Sequence, residues 1–268
     1  MALNSRYTPN ELIIIMAQMS FNNPNIKLIS FSKAVNSDST TPNYFYHFKN
    51  LKTHEHFILA CPAYDKKSSN PLKNVGMSHL TAVIDFINRT IVDEKSFPPI
   101  IKIFIPLAET YKRNHWTLFI RTIDNQGQPP KASQQLYDPK GKRPLLGYNY
   151  SSLQSALGIR ENNLDVYYTQ LQSMLNGEDC GPITALIFYC FINGIDLNCL
   201  SLTSADTLRP WFENSFYQPA LKNSEIYFAA EDTGVDCQLS TAAPIVVVND
   251  DFFAPIQQGH ETPIFGSP

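Results

Sequence analysis

The chain has 268 residues, of which 43% are hydrophobic and 17% are charged, so it is long enough to form one large domain with a substantial core. Its net charge of -3 excludes the strongly basic surface that is typical of nucleic-acid-binding proteins. The cysteines fit neither a zinc-site spacing nor a paired disulfide framework, so we expect a reducing, cytoplasmic compartment and no metal or other cofactor. The five are Cys61, Cys180, Cys190, Cys199 and Cys237.

The N-terminal part predicts one helix and three strands. Thr8-Pro9-Asn10-Glu11 is a typical helix start, and the apolar stretch Leu12 to Met19 after it is too short to span a membrane. We therefore expect an amphipathic helix packed on the body of the protein, and no membrane association. His54 and His56 have the spacing of neighbours on one strand face, but no third ligand accompanies them, so we interpret them as surface histidines. The three β-like runs cover residues 26–31, 44–48 and 56–60.

A polar, proline-bounded stretch at residues 62–74 predicts the boundary of a catalytic core. We place this core at residues 74–200, between an N-terminal accessory segment (1–73) and a C-terminal extension with a loose tail (201–268). The core opens with a helical apolar pattern from Leu80 to Ile91. Four β-like runs follow, at residues 100–107, 115–123, 134–137 and 164–171. This order predicts an α+β fold, with a mixed or antiparallel sheet and helices packed on its faces.

The stretch from Asn176 to Ile195, NGEDCGPITALIFYCFINGI, predicts a turn followed by a buried helix. The helix would begin at Cys180-Gly181-Pro182, run through side chains that are almost all apolar, and end at Asn193-Gly194. Cys180 would then lie at the positive end of the helix dipole, which favours a thiolate over a thiol. Taken alone, the same position also suits a buried structural cysteine.

A cysteine nucleophile needs a base within hydrogen-bond reach, and the base needs a third group that holds its orientation. His115 begins one predicted strand and Asp138 follows the end of the next, so both can converge at the sheet edge that faces Cys180. Each also has an ordinary structural explanation. His115 could be a packed histidine, and Asp138, which precedes Pro139, could form a turn.

The local sequences around these three residues resemble the ubiquitin-like-protein cysteine proteases of the CE clan, the Ulp/SENP group with the adenain fold. The resemblance covers about residues 74–200 and implies a papain-like fold in this clan's chain permutation, with a central mixed sheet against a buried helix that starts at the nucleophile. It implies Cys180 as nucleophile, His115 as general base and Asp138 as the orienting carboxylate. The matching segments are HWTL at 115–118, LYD at 136–138 and LNGEDCG at 175–181.

The resemblance also implies the substrate. Trp116 would line a narrow tunnel for the diglycine tail of a ubiquitin-like protein, with Asn176 and Gly181 as further substrate-binding residues. The chain would be a monomeric thiol hydrolase that cleaves after the C-terminal glycine of ubiquitin or a ubiquitin-like modifier, as a deubiquitinase, deSUMOylase or deneddylase. By analogy with bacterial effectors of this fold, it would be secreted into a host cell.

Two other functions stay open. A YopJ-like acyltransferase has the same family fold and thioester chemistry, but it normally uses a glutamate as third member and a basic inositol-phosphate site. This chain has Asp138 and an acidic balance instead. A catalytically inactive modifier-binding module is the second alternative.

The inactive alternative is favoured by Met174, because the family usually has a glutamine at this position, six residues before the cysteine, to donate to the oxyanion. The main-chain N–H of Cys180 can supply one donor. We predict Gln172 as the second, since alternation along the strand places it on the same face as Met174. It would reach the site only through an irregular strand end, and Asn176 or Asn114 could substitute for it.

Overall fold

Strands form a single mixed sheet in the computed structural model, which describes residues 9–34, 43–60, 98–109, 115–128, 131–140, 164–172, 179–202, 210 and 212–219. The seven strands in these ranges lie side by side in chain order. Pairing is antiparallel except between β3 and β4 and between β6 and β7, which run parallel. The strands are β1 (Ile26–Ala34), β2 (Asn43–Asn50), β3 (His56–Ala60), β4 (Ile100–Glu109), β5 (His115–Asp124), β6 (Lys131–Lys140) and β7 (Leu164–Gln172).

Every predicted strand is present, and most extend a few residues beyond the predicted run. The central strands are continuous apolar runs because both of their faces are covered, as in Ile103 to Ile105 of β4, where three consecutive side chains are buried. The edge strand β7 has only its last two residues buried. Strands β1 to β3, from the part of the chain before residue 74, continue the same sheet as β4 to β7. The predicted boundary at 62–74 and the predicted helix at 80–91 lie outside the described residues.

Within the described residues, two α-helices pack on one face of this sheet. Helix α1 (Pro9–Phe21) contacts β1 to β3, and helix α2 (Cys180–Asn193) contacts β5 to β7 and α1. A short 3-10 helix (Leu197–Leu202) and a π-helical turn (Glu213–Tyr217) follow. Apolar side chains from both helices and the sheet form one core, including Leu12, Phe48, Phe104, Leu118, Leu186 and Phe188. The predicted α+β class with a mixed sheet is confirmed.

The prediction that α1 is amphipathic is wrong, because all its residues from Leu12 to Ser20 are buried. It lies between the sheet, α2 and the π-helical turn, so no face is left for solvent. Its buried polar side chains form local hydrogen bonds: the Ser20 hydroxyl donates to the Met16 carbonyl over 3.2 Å, and Gln18 Nε2 donates to Asn22 Oδ1 over 2.7 Å. Among the described helices, none has the length and apolar character needed to cross a membrane.

Helix α2 begins and ends where its sequence predicts. Cys180 is its first residue, Pro182 lies in its first turn, and side chains from Cys180 to Cys190 are all buried. It ends at Gly194, which adopts a left-handed φ of 67° and donates its N–H to the Cys190 carbonyl. Burial on all sides places the N-terminus of α2 inside the protein.

The interpretation of His54 and His56 as surface neighbours on one strand is wrong. His54 lies in an exposed turn before β3 with a positive φ of 60°, which takes it out of the strand register. His56 begins β3 and is buried, and its Nδ1 lies 2.9 Å from Nε2 of the buried His47 on β2. Within the described ranges no three histidine, cysteine or acidic side chains cluster as a metal site.

Candidate active site

Cys180 lies at the buried N-terminus of α2, with 2% of its surface exposed. The preceding residue, Asp179, is also buried, and its carbonyl accepts the N–H of Ile183 over 3.0 Å in the first helical turn. Main-chain N–H groups of a first turn point out of the helix end, and the helix dipole adds positive potential there. The thiol therefore lies at the positive end of the helix dipole.

His115 and Asp138 are hydrogen bonded to each other on neighbouring strands. His115 is the first residue of β5, and its Nε2 lies 2.6 Å from Oδ1 of Asp138 on β6. Both residues are 1% exposed. The antiparallel β5–β6 pairing brings them together. Its last pair joins Leu118 to Tyr137, and beyond this pair His115 lies at the start of β5 while Asp138 follows Tyr137 on β6.

The predicted end of the third core strand at Asp138 needs correction, because β6 continues through Pro139 to Lys140. The strand continues because β7 pairs with this segment, with Asp138 opposite Tyr168 and Lys140 opposite Gln172. Asp138 is therefore held within the sheet instead of in a turn.

Cys180 contributes to the electrostatics of His115 as Asp138 does, so its thiol lies near the imidazole. Since Nε2 is bonded to Asp138, Nδ1 is the ring nitrogen that remains for the thiol. Burial alone would lower the pKa of His115, but the hydrogen bonds and charges of Asp138 and Cys180 outweigh it and raise the pKa to about 9. The Asp138 carboxylate therefore favours the protonated form of the ring.

Gln172 is the last residue of β7 and is buried, with 3% of its surface exposed. The strand is irregular just before it. Between the pairs Asp138–Tyr168 and Lys140–Gln172, β6 contains one residue, Pro139, whereas β7 contains three. Gln170 in this segment has a positive φ of 57°. The strand is thus irregular before Gln172, whereas residues 173–178, between Gln172 and the α2 N-terminus, lie outside the described residues, and the role of Gln172 as a donor stays a prediction.

The remaining predicted site residues divide into two groups. Trp116 is 4% exposed and belongs to the same buried cluster as Cys180, and Gly181 is buried in the first turn of α2. Asn176, Met174 and Asn114 lie outside the described residues. The structure thus brings His115, Asp138 and Cys180 together and places Trp116 and Gly181 beside them in the chain.

One contact of the site was missed by sequence reasoning. The Thr169 hydroxyl on β7 donates to the carbonyls of both Asp138 and Pro139, over 3.3 and 3.4 Å. No local signal marks this threonine, because the contact depends on the parallel β6–β7 register and on the extra residues in β7.

Comparisons with known proteins show the fold. Neither a scan against protein-family models nor a search of curated proteins finds a match. A solved structure of the Legionella pneumophila effector protein RavZ matches with a TM-score of 0.51 and 14% identity, over 99% of this chain and 77% of that chain. The chain therefore has the RavZ fold. The mixed sheet and the helix after β7 give the predicted papain-like α+β class.

Two further matches are weaker. RavZ in complex with human LC3B matches with a TM-score of 0.48 and 13% identity, over 99% of this chain and 73% of that chain. The SUMO protease Ulp1, with its catalytic cysteine oxidised to a sulfinic acid, matches with a TM-score of 0.40 and 13% identity, over 82% of this chain and 81% of that chain. At these identities the likeness concerns the fold alone.

Proposed function

We propose that the chain is a cysteine peptidase that cleaves after the C-terminal glycine of a ubiquitin-like modifier. The observation that carries the proposal is the placement of His115 between the Asp138 carboxylate and the Cys180 thiol at a helix N-terminus. A nucleophile, a base and an orienting group in this relation are the parts that covalent catalysis by a thiol needs.

Acylation begins from a thiolate of Cys180 and an imidazolium of His115. The sulfur attacks the carbonyl carbon of the scissile bond, a C–S bond forms, and the carbonyl oxygen becomes an oxyanion. When this intermediate collapses, the C–N bond breaks and His115 gives its Nδ1 proton to the leaving amine. The modifier is then held as a thioester on Cys180.

Deacylation reverses the role of His115. The neutral imidazole takes a proton from water as the water attacks the thioester carbonyl, and the C–S bond breaks. The thiolate and the imidazolium are restored together. Asp138 keeps the ring in one orientation through both steps and stabilises its charged form.

The oxyanion needs donors that are already in place when its charge develops. The first turn of α2 can supply the Cys180 N–H, and we assign the side-chain amide of Gln172 as the second donor. Support for this assignment comes from the burial of Gln172 and from the irregular end of β7. An ordered amide in a dry site can donate without the reorganisation that water would need.

The burial of the site favours a substrate tail without side chains. Cys180 and His115 are 2% and 1% exposed, so the scissile segment must pass through a narrow approach. Glycine lacks a Cβ, and a diglycine tail therefore fits where other residues would collide. Trp116, Gly181 and Asn176 would line this approach, as the family resemblance implies. RavZ, which shares the fold, has been crystallised with LC3B, a ubiquitin-like protein.

The compartment is proposed on the same basis. RavZ is an effector protein of Legionella pneumophila. We infer that this chain acts in the same manner, as a secreted protein that meets a modifier in the host cytoplasm.

A panel of electrophilic probes tests the function. Ubiquitin, SUMO and LC3B, each with a thiol-reactive group in place of the C-terminal carboxylate, are incubated with the protein, and adducts are read by mass spectrometry. We expect a covalent adduct with one probe, its loss in Cys180→Ala, and its retention in Cys190→Ala, which removes another buried thiol of the same helix. An adduct that persists in Cys180→Ala would reject the assignment. Binding of a modifier without any adduct would favour the inactive module.

A further inference from the structure

The backbone of Asp138 lies at the end of one ladder and beside an irregularity in the other. The β5–β6 ladder ends at Leu118 with Tyr137, one residue before Asp138. On the other side, the β6–β7 ladder is interrupted between the pairs Asp138–Tyr168 and Lys140–Gln172. Pro139 lies in this gap and has no N–H to contribute. The carboxylate that orients His115 is therefore carried by an irregular part of the sheet.

The Thr169 side chain forms hydrogen bonds across this gap. Its hydroxyl lies 3.3 Å from the Asp138 carbonyl and 3.4 Å from the Pro139 carbonyl, so one hydrogen is shared between two acceptors of consecutive residues. Both distances are longer than a single hydroxyl bond, and each contact alone is weak. Together they fix the direction of the peptide unit that carries the Asp138 side chain.

Gln170 makes this contact possible through its backbone. A positive φ of 57° is uncommon for a residue with a side chain, because the Cβ then lies close to the following carbonyl oxygen. Gln170 itself is exposed. The left-handed turn accommodates the extra residues of β7 opposite Pro139 and delivers Gln172 to its buried position.

We propose that the β7 bulge, Thr169 to Leu171, positions the Asp138 carboxylate. The Thr169 hydroxyl holds the Asp138–Pro139 backbone, and Gln170 sets the shape of the bulge. The proposal rests on the proposed peptidase function. Thr169 and Gln170 act through Asp138 and do not touch the substrate.

The first test replaces the hydroxyl. Thr169→Val keeps the size of the side chain and removes the donor, whereas Thr169→Ser keeps the donor. We expect Thr169→Val to lower kcat about three- to tenfold with little change in KM or Tm, and Thr169→Ser to restore most of it. Thr122→Val, on β5 opposite Ser133 of β6, is the matched control and should leave kcat unchanged. Equal kcat in wild type and Thr169→Val would overturn the proposal.

A second readout does not depend on turnover. The protein contains six histidines, and NMR titration of histidine-labelled protein can follow His115, assigned through its absence in His115→Gln. In Thr169→Val the pKa of His115 should fall below its wild-type value of about 9, because Asp138 is less well placed. An unchanged titration would reject the positioning role. Should the wild type react with no modifier probe, the peptidase proposal fails while this measurement still decides the role of Thr169.

The bulge itself is tested by a pair of variants at Gln170. Glycine accepts a positive φ without steric cost, so Gln170→Gly should retain kcat and the His115 titration. Valine is branched at Cβ and disfavours this conformation, so Gln170→Val should lower both. Wild-type kcat and titration in Gln170→Val would show that the bulge does not set the geometry of Asp138.

Discussion

Nε2 of His115 lies 2.6 Å from Oδ1 of Asp138, and both side chains are shielded from solvent. A hydrogen bond to a carboxylate at this distance is charge assisted, and it holds the plane of the imidazole. The ring can then present only Nδ1 to the helix that carries Cys180. In the proposed mechanism, the nitrogen that exchanges protons with the substrate is therefore selected by a strand partner on the other side of the ring.

Removal of the base should cost more than alteration of its partner. We expect His115→Ala to lower kcat/KM by at least about 10³-fold, because the variant lacks the group that transfers the proton. Asp138→Asn should cost less, since the asparagine oxygen can still accept from Nε2, although the negative charge is lost. Steady-state kinetics on the modifier with the strongest probe reaction measures both. A fully active His115→Ala variant would contradict the triad.

Removal of the proposed oxyanion donor should affect turnover selectively. Gln172→Ala is expected to lower kcat by about 10²-fold with little change in KM, because the donor acts on charge that develops in the transition state. Thermal unfolding of the variant controls for damage to the end of β7. Unchanged turnover in Gln172→Ala, together with a gain in Met174→Gln, would show that Gln172 has no part in the oxyanion site.

Replacement of Trp116 separates a tunnel role from a packing role. If the ring positions the glycine tail, Trp116→Ala should raise KM and lower kcat together. The side chain is 4% exposed, so some loss of stability is expected in either case. Kinetics must therefore be normalised to the folded fraction. Normal kinetic constants per folded molecule would assign Trp116 to the core alone.

The buried pair of His47 and His56 should make the protein sensitive to mild acid. Burial and the neighbouring His56 lower the pKa of His47 from 6.5 to about 4 in the folded state. Between these values the unfolded chain binds a proton that the folded chain does not. The associated stability is therefore present in full above pH 6.5 and is lost as the pH falls towards 4, by on the order of 3 kcal/mol.

Urea unfolding at several pH values measures this loss. The free energy of unfolding of wild type should fall more steeply between pH 6.5 and 4 than that of His47→Gln, which cannot take up the proton. His54→Gln, in the exposed turn before β3, is the control and should follow wild type. Parallel pH profiles of wild type and His47→Gln would exclude His47 as the source.

Local patterns predict the elements that carry the site. The apolar run in β4 and the Pro182 and Gly194 signals of α2 place these elements correctly, since strand and helix formation here follow nearest-neighbour preferences. The proximity of His115 and Asp138 also follows from adjacent antiparallel strands. The parallel pairing of β6 with β7 does not follow from local patterns, because a long connection joins the two strands. The contact of Thr169 depends on this pairing and was therefore missed.

Long-range packing explains the other differences. The full burial of α1 depends on α2 and on the π-helical turn at 213–217, which lie far away in the chain. The hydrophobic pattern of residues 12–19 describes only the helix itself. It cannot show whether elements distant in the chain cover the faces of the helix that do not pack on the sheet. The left-handed backbone of His54 similarly depends on the turn between β2 and β3, where its N–H bonds to the Asn50 carbonyl.

The packing of α1 against α2 sets an order of events during synthesis. Asn23, just after α1, donates to Asn193 at the end of α2, across 170 positions of the chain. The ribosome releases α1 before α2, so the surface of α1 that packs on α2 stays uncovered until the later helix has been made. Such distant contacts slow folding. Because Cys180 lies on α2, its thiol can meet His115 only after α2 has packed on the sheet, and the three residues of the candidate site cannot come together before that stage.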